Sequence, residues 1–183
     1  MSRSFPNSNY SQDPFSMTVA THASLWRKSI IVVLVAWLGA SLLLDLVVMP
    51  SLYGAGMMDS SGFAMAGDMI FSIFNRVELL AGAVVLTGCL IWSAIKSKRP
   101  LQQQSLTLAT AALLLVIPLV YTYGLTPSMS ALGLQLNLFD TATVPEQMDQ
   151  LHQAYWGLEL LKLTAAGLLL SRFWKNSDLS FAQ

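Results

Sequence analysis

Charge is the scarcest commodity in this chain: 11% of its 183 residues are Asp, Glu, Lys or Arg, 54% are hydrophobic, and the formal net charge is zero. Soluble domains carry roughly 25% charged residues, so the composition excludes an ordinary globular surface. Without a basic excess gathered on one face, nucleic acid is excluded as a partner. Cysteine is nearly absent too. Cys89 stands alone, which rules out an internal disulfide framework and any thiolate metal site built by one chain; it lies in an apolar run, where packing is its expected role. Enzyme signatures are missing: there is no phosphate-binding glycine loop, no histidine pair at metal-ligand spacing and no nucleophile elbow. The chain reads as a non-enzyme.

What is present is a set of long hydrophobic runs. Spans are expected at about 29–49, 69–95, 106–123 and 144–174, each near or above the ~20 residues needed to cross ~30 Å of hydrocarbon. Backbone amides in lipid must be satisfied within the segment, so helices are the form expected. The first run resembles a signal peptide at its start, because Arg27 and Lys28 precede it and Gly39-Ala40-Ser41 supplies small residues. It then continues through Leu42-Leu43-Leu44 and Leu46-Val47-Val48, and Leu38 stands where cleavage wants a small side chain. The run is therefore expected to stay in place as a span. Residues 1–25, rich in Ser, Asn and Gln, are expected to form a disordered tail, with the helical domain over 26–175 and a second tail over 176–183.

Local signals refine the spans. Pro118 should kink the third helix and free a carbonyl. Thr143-Val144-Pro145-Glu146 carries the capping signal for the fourth. The stretch Ser128 to Leu138 reads as a short interfacial helix. Ala36 with Ala40, Ala83 with Thr87, and Ala165-Ala166-Gly167 are expected to allow close helix approach.

Orientation can be read from where the cations are missing. The loops 50–68 and 124–151 contain no Lys or Arg, whereas Arg3, Arg27, Lys28, Lys96, Lys98, Arg99, Arg172 and Lys175 fall in the tails or the middle loop. The positive-inside rule then makes both termini cytoplasmic. Trp26, Trp92 and Trp174 are expected at the inner boundary; Tyr53, Tyr123, Tyr155 and Trp156 are expected at the outer one. The fold class is therefore an all-α integral membrane four-helix bundle, N-in and C-in, lying in the plasma (inner) membrane. Its first partner is the lipid bilayer, with a membrane protein or a second copy of the chain as further candidates.

Pro50-Ser51-Leu52-Tyr53 closes the first span, Phe71-Ser72-Ile73-Phe74-Asn75-Arg76-Val77-Glu78 lies in the second, and Leu151-His152-Gln153-Ala154-Tyr155 leads into the fourth. In these motifs the chain resembles the domain-of-unknown-function 4149 family, four-helix membrane proteins akin to transmembrane protein 205. The resemblance covers about 36–173 and implies an architecture more than an activity. A more distant likeness to copper-resistance membrane proteins of the CopD type rests on helix count, one Leu-His pair and the methionines.

Five ionisable residues fall within the spans: Asp45, Arg76, Glu78, Glu159 and Lys162. At a cost of at least ~2.5 kcal/mol each at bilayer depth, they should face one another inside the bundle. Glu159 and Lys162 share a helical face with His152, and Asn75 shares one with Glu78. Arg76 stands about 200° from Glu78 and is expected to pair with Asp45 or Glu159 on another helix. Asp45, Asn75, Arg76, Glu78, His152, Glu159 and Lys162 thus form the expected polar site. One reading makes them ion pairs that fix helix register. The other notes one more acidic than basic group and calls for a proton, a protonated His152 or a bound cation.

Seven of the nine methionines, Met49, Met57, Met58, Met65, Met69, Met129 and Met148, fall at the expected outer side. Met148 and His152, four residues apart, are candidate copper(I) ligands, thioether and imidazole being suited to that ion; gap-filling between helix ends is the alternative. Haem held between His22 and His152, the only two histidines, is not expected, because the expected topology puts them on opposite sides of the membrane. Two functions remain: binding or conduction of a small cation or proton, and service as a structural or assembly subunit of a larger membrane complex.

Overall fold

The computed structural model describes residues 14–57, 62–95, 100–139 and 146–178, which are helical almost throughout, with no strand among them. Helix α1 (Pro14–Leu43) runs through a π turn (Leu44–Val48) into α2 (Met49–Gly54). Helix α3 (Phe63–Ile95) comes next, then α4 (Leu101–Val120), which runs through a second π turn (Tyr121–Leu125) into α5 (Thr126–Phe139); α6 (Glu146–Asp178) is last. Three of the resulting rods, Ser24–Gly54, Met65–Ile95 and Leu101–Gly133, are long and apolar enough to cross a membrane. Helix α6, with 33 residues, is roughly 50 Å long at 1.5 Å per residue. Glu159 and Lys162 dilute its apolar stretch, yet both are buried.

Four long helices pack in a ring: α1 touches α3 and α6, and α4 touches the same two. Helices α3 and α6 therefore face each other across the diagonal. One length of the bundle is filled by an apolar core that includes Ile30, Leu34, Val85, Cys89, Leu114, Ala165, Leu169 and Phe173. Cys89 packs there as expected. The outside is apolar as well: Val32, Leu43, Leu46, Ile73, Leu80, Val116, Leu160 and Leu168 are exposed, whereas Asp45, Glu78, Glu159 and Lys162 are buried. A soluble protein has the opposite arrangement, and lipid contact accounts for this one.

The helices extend beyond their expected limits. Helix α1 begins at Pro14, so residues 14–25 are helical where a tail was expected. The Ser-, Asn- and Gln-rich sequence lies before Asp13-Pro14, a pair with the start-of-helix signal, since proline's missing N–H costs nothing in a first turn. The stretch expected as a separate interfacial helix is the greater part of α5, joined to α4 without a break. Thr143, Val144 and Pro145, Met58, and the loop cations Lys96, Lys98 and Arg99 lie outside the described residues, as do Arg3 and the rest of 1–13.

Both π turns share one sequence pattern. Each is succeeded by a single residue and then a proline, Met49-Pro50 and Thr126-Pro127. The N–H of Met49 reaches back to the carbonyl of Leu44, and that of Thr126 to the carbonyl of Tyr121, each five residues away. Pro50 and Pro127 lack an N–H to continue the ordinary ladder, and the widened turns absorb the mismatch. Pro118 also leaves the Leu114 carbonyl without its usual donor. That carbonyl faces α3 where α3 has no side chain: a Cβ built on Gly82 would stand 3.0 Å from Leu114 O. Gly88 plays the same part against α1, where a Cβ would meet Ile30 Cγ1 at 2.7 Å. Close approach thus runs through Gly82 and Gly88. Ala36, Ala40, Ala83 and Thr87 are exposed instead, while Ala165 and Ala166 are buried as expected.

Candidate functional site

Near the middles of α3 and α6, Lys162 forms ion pairs with Glu78 and with Glu159, the latter at 2.7 Å. All three side chains are at most 2% exposed. The contact with Glu78 crosses the diagonal of the ring and ties together two helices whose backbones do not meet. Glu78 Oε1 also accepts the indole N–H of Trp37 at 2.9 Å and the hydroxyl of Ser41 at 3.2 Å, both from α1. With three donors on one oxygen, Glu78 is solvated as an anion by the protein itself. The Lys162 ammonium also lies 5.4 Å from the centre of the Tyr121 ring and 6.0 Å from that of Phe74. The aromatic faces add cation–π attraction where water is excluded.

The remaining carboxyls are less well served. Glu159 Oε2 accepts the Tyr121 hydroxyl at 3.1 Å in addition to Lys162. Asp45 Oδ1 accepts only the Tyr155 hydroxyl, at 3.3 Å. The two tyrosine rings stack at 5.0 Å between centroids, and Phe71 meets Tyr155 edge-on at 5.7 Å. One oxygen of each carboxyl, Asp45 Oδ2, Glu78 Oε2 and Glu159 Oε1, is buried with no hydrogen-bond partner. Two of the residues here, Asp45 and Tyr121, are carried by the two π turns. An inserted residue rotates the rest of the helix by about 100°, so the widened turns set the phase at which these side chains enter the bundle.

Asn75 is buried beside this cluster but faces α5, where its Nδ2 donates to Thr126 Oγ1 at 2.7 Å. The exposed Asp68 accepts from Ser72 and Ser130, a second tie between α3 and α5.

Arg76 does not join the site. It is exposed and makes no ion pair among the described residues, because the angle that separates it from Glu78 turns it to the outside of α3. His152 is also exposed, and its Nδ1–H donates to the Met148 carbonyl of its own helix at 2.9 Å. It neutralises none of the buried carboxyls. Met148 is buried while His152 is not; Met57, Met65 and Met69 are exposed. Among the described residues no three His, Cys, Asp or Glu converge as metal ligands.

With Arg76 outside, Lys162 faces three carboxyls alone, so the acidic surplus is two rather than one. Sequence reasoning missed Trp37, Ser41 and Tyr121 as partners and gave Tyr155 a boundary role only. Trp92 is likewise a core residue, buried edge-on to Phe173 at 5.9 Å, whereas Trp174, Tyr53, Tyr123 and Trp156 are exposed. A separate cavity of about 330 Å³, lined by Trp92, Gln104, Thr107, Arg172 and Lys175 among others, opens at the opposite end of the core.

These features define an all-helical chain with three helices able to cross a membrane and a buried carboxylate–lysine cluster in its interior. No protein-family model matches the chain, and no curated protein or solved structure matches it either.

Proposed function

We propose that the chain is a four-span plasma-membrane protein with both termini in the cytoplasm, and that its buried cluster binds and conducts a small cation or proton. The observation that carries this reading is the ratio of three buried carboxyls to one buried ammonium. Two uncompensated charges in a low-dielectric interior each cost several kcal/mol, by order of magnitude, and a bound cation or proton removes that cost.

Two arguments support it. Register-fixing pairs need only equal numbers of opposite charges, which the cluster lacks. Moreover, π turns in otherwise regular helices recur at functional sites, and here both carry a residue of the cluster. The fourth crossing is inferred for α6 because its diluting charges are turned inward and its exposed residues Leu160, Leu161 and Leu168 are apolar. The four-helix architecture is also what the resemblance to the domain-of-unknown-function 4149 family implies.

The test is reconstitution into liposomes with an internal pH dye. Protein-dependent proton movement, or proton movement driven by a sodium or potassium gradient, is expected. It should be lost in Glu159→Gln and kept in Arg76→Gln. Absence of any flux, together with stable co-purification with a larger membrane complex, would instead assign the chain to an assembly role.

A further inference from the structure

The cluster holds three acceptor oxygens without a donor, and their arrangement says which ligand fits. Glu78 is the best-solvated anion of the three, with Lys162, Trp37 and Ser41 all on one oxygen. It pairs with Lys162 as a neutral unit. Asp45 and Glu159 are left. Both are held by one stacked pair of tyrosines, Asp45 by Tyr155 and Glu159 by Tyr121, whose ring centroids lie 5.0 Å apart, and Asp45 Oδ2 and Glu159 Oε1 each lack a partner. Two carboxylates are both acceptors, so their approach brings repulsion and no hydrogen bond.

One proton changes this. Placed on either oxygen it turns that carboxyl into a donor toward the other, and two of the three orphan acceptors are satisfied at once. It also removes one of the two surplus charges. A metal ion would do less well: hard cations take six or more oxygens, and among the described residues no three acidic or histidine side chains converge as ligands.

We propose that Asp45 and Glu159 share a single proton between Asp45 Oδ2 and Glu159 Oε1, and that this pair is the proton-binding element of the site. The inference rests on the proton form of the function proposed above. Every group facing the pair is consistent with it. From α6, Lys162 is paired with Glu78 and Glu159, and Tyr155 donates to Asp45 Oδ1. From the second π turn, Tyr121 donates to Glu159 Oε2. From α3, Glu78 is held as an anion by α1, and the exposed Arg76 is directed away. The donors already present occupy the other oxygen of each carboxyl and leave the two orphaned oxygens for the proton. Proton loss would leave two like charges in the interior.

The experiment is infrared spectroscopy of the full-length protein in detergent at neutral pH, reading the C=O stretch of a protonated carboxyl, with thermal unfolding measured on the same samples. Wild type should show one such band. It should vanish in Asp45→Asn and in Glu159→Gln, since in each the introduced amide donates in the proton's place, and both variants should melt close to wild type. Tyr155→Phe, which removes only the donor to Asp45 Oδ1, should keep the band at a shifted frequency. A wild-type protein without the band overturns the shared proton, as does a band that survives unchanged in both amide variants. If the band is absent but added sodium or potassium raises the melting temperature, a metal cation fills the site: the shared proton fails while the wider functional reading stands.

Discussion

Lys162 on α6 and Glu78 on α3 form an ion pair across the diagonal of the bundle, joining two long helices that share no backbone contact. Because Lys162 also holds Glu159 on its own helix, it is the one buried cation among the described residues that balances any of the three carboxyls. The tie across that diagonal therefore depends on a single ammonium group.

Lys162→Met should be the most damaging change in the cluster. It leaves Asp45, Glu78 and Glu159 with no positive partner, a defect of about 3 to 5 kcal/mol for a broken buried pair. Combining it with Glu78→Gln should cost less than the sum of the two single changes, because the second removes a charge that the first left unpaired. Thermal unfolding of the four proteins in detergent measures the coupling. Strict additivity would mean that the two residues do not interact.

Arg76→Gln should be nearly silent, within about 0.5 kcal/mol, as is usual for an exposed side chain outside any network. The same melting assay checks it. A loss as large as that of Lys162→Met would place Arg76 inside the site.

Element type and the existence of a charged interior were legible in the sequence; the partners were not. Asp45, Glu78, Glu159 and Lys162 stand out because ionisable groups are rare and costly in apolar runs. Depth alone groups Arg76 with them, although its angular position on the same helix points elsewhere. Trp37, Ser41 and Tyr121 carry no such signal, since a Trp, a Ser or a Tyr in a membrane helix is ordinary until another helix brings a carboxylate to it. The π turns are signalled by Pro50 and Pro127, but Pro50 reads instead as the close of the first span and Pro127 falls in what reads as a loop. Alanines likewise suggest the near side of α3, whereas the carbonyl freed by Pro118 demands a residue with no side chain at all.

Gly82→Ala should therefore destabilise. An added Cβ would stand 3.0 Å from Leu114 O and 3.1 Å from Leu115 Cα, both backbone atoms that cannot swing aside, and overpacking of this kind costs about 1 to 3 kcal/mol. Gly157→Ala is the control. It is also helical but has nothing within 4 Å of the new Cβ, so it should gain up to about 1 kcal/mol from helix propensity. Equal melting temperatures for the two variants would show that α3 and α4 are not in close contact at Gly82.

The orientation is open to a direct chemical test. No Lys or Arg occurs in 50–68 or in 124–151, while Lys96, Lys98 and Arg99 lie together in the segment between α3 and α4. Cations adjacent to spans are retained on the cytoplasmic side, so single cysteines at Ser60 and Thr141 should react with an impermeant thiol reagent from outside intact cells. A cysteine at Ser97 should react only after the membrane is opened. The background requires Cys89→Ala, which is tolerable because Cys89 is a small core side chain with no disulfide. Helix count and direction are tested together: a chain that crosses three times, with α6 outside the bilayer, would leave a cysteine at Asn176 labelled from the same side as Thr141, whereas four crossings put Asn176 with Ser97. Labelling of Ser97 from outside would invert the protein.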